Sequence, residues 1–69
     1  MKYIVFETQN TNKKSYFALT NEQIADPASK VLFKENTKEI ARVNTVNEMK
    51  NLDTEYRISY ISNGKIKFA

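Results

Sequence analysis

The amino-acid sequence predicts an α+β, β-rich domain: a small antiparallel sheet or partly open barrel of five to six strands with one or two short helices. Three observations lead to this fold class. Short runs of β-branched and aromatic residues alternate with polar turns, two segments have the form of a helix capping box, and no repeat or linker divides the chain. Because 69 residues leave room for one core, we expect a single domain over residues 1–69.

The N-terminal part of the chain predicts a hairpin followed by a short helix. Residues 2–8 and 15–19 are rich in types that favour strands, and the polar connection between them suits antiparallel pairing. Thr20 and Gln23 then form a capping box, in which each side chain bonds the backbone N–H of the other. Since Pro27 cannot donate a hydrogen bond in a helix interior, this helix should be short.

The middle of the chain predicts a second hairpin and a second helix. Residues 30–35 and 39–43 resemble strands around a loop at 36–38. Another capping box, from Thr45 to Glu48, predicts a short helix at about residues 46–52. A three-residue loop in the hairpin would place four apolar side chains on one face: Val31, Phe33, Ala41 and Val43.

The C-terminal residues 55–69 predict a third hairpin around Asn63 and Gly64. A two-residue turn would pair Ile61 with Ile66 and mix apolar and basic side chains on each face. A three-residue bulged loop instead places Ile66 opposite Tyr60, with Gly64 in the left-handed region. It also places Phe68 opposite Ile58, which separates apolar from basic residues. We therefore expect the bulged register.

The composition argues against catalysis and against a bound cofactor. The chain contains no cysteine and no histidine, so it lacks the commonest nucleophile, acid–base group and soft metal ligands, and it cannot form a disulfide. Asp53 and Glu55 form the one carboxylate pair of interest, but two carboxylates do not make a metal cage. A single glycine cannot build a nucleotide-binding loop. We expect a protein that is not an enzyme and binds no cofactor or metal.

The charge pattern makes nucleic acid a second possible partner. The net charge is +3, and the bulged register groups Arg57, Lys65 and Lys67 on the outer face of the hairpin, where they could bind a phosphate backbone. Tyr3 and Tyr16 could add a surface for stacking. Alternatively, the lysines serve to protect an exposed strand from aggregation. The candidate binding residues are Arg57, Lys65, Lys67, Tyr3 and Tyr16, extended by Lys13, Lys14 and Ile61.

The favoured hypothesis is a small module that binds another protein. The aromatic residues expected in the core are Phe6, Phe17, Phe33 and Phe68, together with Ile58, which leaves tyrosines such as Tyr56 and Tyr60 for an interface. A core this small is marginal, so a homo-oligomer is possible.

The Lys- and Asn-rich composition resembles that of proteins from AT-rich Gram-positive bacteria and their phages, which suggests an inhibitor or accessory factor. With no signal sequence and no segment of about 20 apolar residues, we expect a soluble cytoplasmic protein that does not enter a membrane.

Overall fold

A computed structural model describes residues 2–69 and contains five strands and three short helices. The strands are β1 (Tyr3–Asn10), β2 (Lys13–Leu19), β3 (Thr37–Val43), β4 (Ile58–Ser62) and β5 (Lys65–Phe68). The helices are α1 (Asn21–Ala25), a 3₁₀ helix (Pro27–Leu32) and α2 (Val46–Lys50). None of the helices in this part of the chain is long and apolar enough to cross a membrane.

The five strands form one open sheet in the order β3-β1-β2-β4-β5. The hairpin of β1 and β2 lies in the middle, β3 pairs antiparallel with β1, and β5 pairs antiparallel with β4. The pairing of β2 with β4 is parallel, because the chain crosses the sheet between them through α1, the 3₁₀ helix, β3 and α2. The predicted β-rich α+β fold class with five strands is confirmed. The sheet is mixed where an antiparallel one was expected, and the described residues form three short helices instead of one or two.

One face of the sheet carries the main core. Side chains that alternate along the strands pack under α2, whose Met49 is 1% exposed. Thr45 caps α2 as predicted, since its hydroxyl accepts a hydrogen bond of 3.1 Å from the backbone N–H of Glu48. The core cluster comprises Val5, Tyr16, Ala18, Val43, Met49 and Ile58.

The opposite face carries a smaller aromatic cluster beneath the other two helices. The rings of Phe6 and Phe17 stack at 5.2 Å, and Phe33 meets both of them edge to face, at 5.0 and 5.8 Å. The predicted capping box of α1 is confirmed: Gln23 N–H donates to the hydroxyl of Thr20, and Thr20 N–H donates to the side chain of Gln23.

The strand expected at residues 30–35 is wrong, because the chain forms the 3₁₀ helix there. Pro27 occupies the first turn of that helix, where its missing N–H costs nothing, and Asp26 caps it by accepting from Ala28 N–H at 3.0 Å. The Ser29 hydroxyl also donates to the Ile24 carbonyl at 3.1 Å, which ties the 3₁₀ helix to α1. As a result β3 pairs with β1. The predicted hairpin face, on which Val31 would lie beside apolar residues of the segment 39–43, does not form.

The bulged register expected for the C-terminal hairpin is also wrong. Ile61 pairs with Ile66 and Tyr60 pairs with Lys67, around a two-residue turn. Asn63 and Gly64 both have positive φ, 53° and 74°, as a type I′ turn requires. Strand β5 lies at the edge of the sheet and all four of its residues are exposed, so no buried face selects its register.

Candidate functional site

A group of exposed apolar side chains lies where the C-terminal hairpin meets the 3₁₀ helix. Val31 is 76% exposed, Ile66 is 70% exposed and Phe68 is 61% exposed. Leu32 and Ile61 lie between them and are each more than a third exposed. We call these five residues the hairpin surface. Contiguous exposed apolar side chains of this kind mark interaction sites in small proteins.

Backbone geometry explains why these side chains come together. Residues directly opposite in an antiparallel pair point to the same face, so Ile61 and Ile66 lie side by side and Phe68 follows two positions along β5. The 3₁₀ helix places Leu32 against Ile61 on that face. A cleft of about 90 Å³ is lined by Leu32, Ile61 and Ile66, and a cleft of about 220 Å³ is lined by Val31, Leu32 and Ile61.

The sequence-predicted binding residues do not form one patch. Lys67 lies opposite Tyr60, and Lys65 points to the same face as Lys67. Arg57 lines a groove together with Phe68, which alternates with the lysines and so belongs to the other face. The expected grouping of Arg57 with Lys65 and Lys67 is therefore wrong, because it depended on the bulged register.

The two tyrosines named with these basic residues lie in or against the core. Tyr16 is 6% exposed and belongs to the core cluster. Tyr3 is half-buried and meets Tyr60 edge to face at 6.0 Å. Burial raises the pKa of the Tyr16 hydroxyl above 10.0, and the nearby carboxylate of Glu7 acts in the same direction. Both rings are less exposed than the ring of Tyr56, which is 53% exposed.

A second groove combines positive charge with exposed aromatic rings. It has a volume of about 370 Å³ and lies at the N-terminal ends of β2 and β4. Its lining includes Lys13, Lys14 and Arg57 together with the rings of Tyr56 and Phe68. Cations beside exposed aromatic rings are the combination by which proteins hold single-stranded nucleic acid.

The ion pairs within residues 2–69 lie at the β3 side of the sheet. Glu39 accepts hydrogen bonds from Arg42 at 2.9 and 3.1 Å, and these bonds lower the pKa of the Glu39 carboxyl. Lys38 lies 3.8 Å from Glu7. Among the described residues, Lys65 and Lys67 have no carboxylate within ion-pair distance. Their charges are therefore available to a partner.

The carboxylates considered for chemistry lie at the surface. Asp53 and Glu55 are both exposed in the connection between α2 and β4. In the described part of the chain, no group of three or more carboxylate side chains comes together as a metal site would need. Buried side-chain polar atoms in residues 2–69 all have a hydrogen-bond partner, as in the 2.9 Å contact between the hydroxyls of Thr8 and Thr37.

Four residues of the hairpin surface were assigned otherwise from the sequence. Phe68 and Ile66 were expected on a buried face, and Val31 and Leu32 in a strand. The signal that could have placed the first two was the Asn63-Gly64 dipeptide, whose commonest turn gives the observed register. The signal that could have placed Val31 and Leu32 was the Asp26-Pro27 dipeptide, which is typical of a helix start.

Comparison with protein-family models, with curated proteins and with solved structures gave no significant match.

Proposed function

We propose that this chain is a non-catalytic module that binds another protein through the hairpin surface. The observation that carries the proposal is the exposure of Val31, Ile66 and Phe68 on one side of the molecule, continuous with two apolar clefts. Exposing large apolar side chains to water is unfavourable, by about 25 cal/mol per Å². A partner that covered them would recover this free energy.

A protein this small acts by occupying a surface of its partner, as an inhibitor or accessory factor does. The proposed compartment is the cytoplasm, since nothing in the composition requires an oxidising one. Its Lys- and Asn-rich composition is consistent with a phage or mobile-element origin.

The proposal is tested by retention of a protein partner from a nuclease-treated lysate of the native host. Ile66→Ser should abolish retention, since it removes one of the most exposed apolar side chains of the hairpin surface. Ile40→Ser is the matched control, because Ile40 is an exposed isoleucine on β3, at the other edge of the sheet. Equal retention by both variants would refute the assignment of the surface.

Nucleic-acid binding is the second candidate function, and the basic groove of Lys13, Lys14 and Arg57 favours it. A fluorescently labelled single-stranded oligonucleotide should then bind at low salt, with an affinity that falls steeply as salt rises. Replacing Lys14 and Arg57 with Ala should weaken that binding, whereas replacing Lys34 and Lys50, which lie outside the groove, should affect it less. Absence of any low-salt binding would eliminate this candidate.

A further inference from the structure

Strand β5 ends the sheet with a regular, unpaired edge. It follows β4 in the strand order, and its four residues pair with β4 without a register shift. The outer side of β5 therefore resembles the edges to which some proteins add an extended peptide as a new strand.

The backbone groups on that outer side belong to Ile66 and Phe68. Ala69 N–H donates to the Ile58 carbonyl at 2.9 Å, so Ile58 and Ala69 form a hydrogen-bonded pair of the ladder. Hydrogen-bonded and non-hydrogen-bonded pairs alternate along an antiparallel ladder. Lys65 and Lys67 therefore bond to β4, while the N–H and C=O groups of Ile66 and Phe68 point away from the sheet.

The opposite edge of the sheet is protected against such addition. The pairing of β3 with β1 shifts register between Val5 and Phe6, which marks a bulge. Exposed charged residues also lie along β3, including Glu39 and Arg42, which are paired with each other. A bulge is one means by which proteins block an edge strand, and the pairing of β5 contains none. β5 is therefore the edge open to a partner.

The side chains of β5 specify what an added strand should contain. Positions opposite Lys65 and Lys67 would share the face of these two unpaired cations. Positions opposite Ile66 and Phe68 would join the hairpin surface. An added strand matches both faces when acidic residues alternate with apolar ones.

A second copy of the chain fits this edge poorly. Two β5 strands related by a two-fold axis would be antiparallel, and directly opposite residues must belong to the same face. Lys65 would then face Lys67 of the other copy, or Lys67 would face its own counterpart. Like charges directly opposite each other destabilise a strand pair.

We propose that an extended segment of a partner protein, with acidic and apolar residues in alternation, adds to the sheet along β5. The inference rests on the proposed function and specifies its recognition chemistry. Main-chain bonds to Ile66 and Phe68 supply part of the affinity, and the two lysines select the partner by charge.

The test is a titration of isotope-labelled full-length protein with three capped synthetic peptides, followed by NMR. The first peptide alternates glutamate and valine, the second alternates lysine and valine, and the third is the first with alternate backbone nitrogens methylated so that they cannot donate. We expect the first alone to bind and to slow amide exchange at Ile66 and Phe68. Similar affinities for the glutamate and lysine peptides, binding of the methylated peptide, or binding without protection at these amides would overturn the inference.

Charge reversal supplies the second arm. Replacing Lys65 and Lys67 with Glu should lower the affinity for the glutamate peptide by about three- to tenfold and allow the lysine peptide to bind. Lys34→Glu with Lys50→Glu is the matched control, since both residues are exposed and lie away from β5. The amide spectrum of β1 and β2 shows whether each variant is folded, and the methylated peptide tests the same edge on unaltered protein.

The two proposals fail in different ways. If no peptide binds but retention of the host partner still depends on Ile66, strand addition is refuted and the protein-binding function stands. If the free protein is a dimer whose interface protects Ile66 and Phe68, or an oligonucleotide protects them, the inference is overturned in favour of that occupant. If no peptide binds and retention does not depend on Ile66, both proposals fall.

Discussion

Met49 is the residue that holds α2 on the sheet. Its side chain is 1% exposed and contacts the core cluster, which makes it one of the largest fully buried groups in the described chain. Truncation of the Met49 side chain would leave a cavity in the core. The cavity could close only if α2, a five-residue helix capped at Thr45, moved toward the sheet.

We predict that Met49→Ala lowers the free energy of unfolding by about 2–5 kcal/mol, a large part of what a core of this size supplies. Urea denaturation followed by circular dichroism measures the change. Lys50→Ala, at the exposed next position, should change the unfolding free energy by less than about 0.5 kcal/mol. Equal effects of the two substitutions would show that α2 does not cover the core.

Tyr16 gives the fold a pH-dependent contribution at the alkaline end. Because burial raises the pKa of its hydroxyl in the folded state above 10.0, the folded protein holds this proton more tightly than the unfolded chain. The resulting stability is fully present below pH 10.0 and is lost as the pH rises through the raised pKa.

We therefore predict that stability falls less steeply above pH 10.0 in Tyr16→Phe than in the unaltered protein. Tyr56→Phe removes a hydroxyl at an exposed position and is the matched control. Urea denaturation across this pH range measures both slopes, and the ultraviolet absorbance of tyrosinate follows ionisation directly. Identical slopes in Tyr16→Phe and the unaltered protein would contradict the buried position of the hydroxyl.

At the scale of elements, the C-terminal hairpin depends on its turn. Gly64 has φ of 74° with open space around the position of a Cβ, so a substitution there is opposed by backbone strain and not by a clash. We predict that Gly64→Ala lowers the free energy of unfolding by about 1–2 kcal/mol. Gly64→Asn should cost less, because Asn tolerates the left-handed region, as Asn63 does at φ of 53°. Urea denaturation measures both, and equal costs would argue against the type I′ turn.

The same hairpin shows what local sequence could and could not predict. Both predicted N-caps gave the correct starts for α1 and α2, because their hydrogen bonds form within a few residues. The capping box is complete at Thr20, whereas at α2 the side chain of Glu48 accepts from the backbone N–H of Asn44. The register of β5 was missed because the prediction assumed that one face of the strand is buried, whereas all four residues of this edge strand are exposed. Residues 30–35 were assigned to a strand on composition, although Asp26 and Pro27 start a 3₁₀ helix just before them.

For the whole molecule, the fold class followed from the sequence and the hairpin surface did not. Length, alternation and turn residues predict a small β-rich sheet with short helices, since each is a local property. The order of the strands depends on which partners meet across long separations, as when β4 pairs in parallel with β2. Only that order makes β5 an edge and brings Leu32 against Ile61. Consequently the sequence suggested a basic patch, whereas the structure shows a group of exposed apolar side chains.

The central claim is that the chain binds a protein through the hairpin surface, and amide hydrogen exchange of the complex tests it most directly. The protein is compared alone and bound to the partner retained from the host lysate. We predict that binding slows exchange in β5 and in the 3₁₀ helix from Pro27 to Leu32, and leaves β3 unchanged. Slower exchange confined to β3, or to the groove of Lys13, Lys14 and Arg57, would contradict the claim.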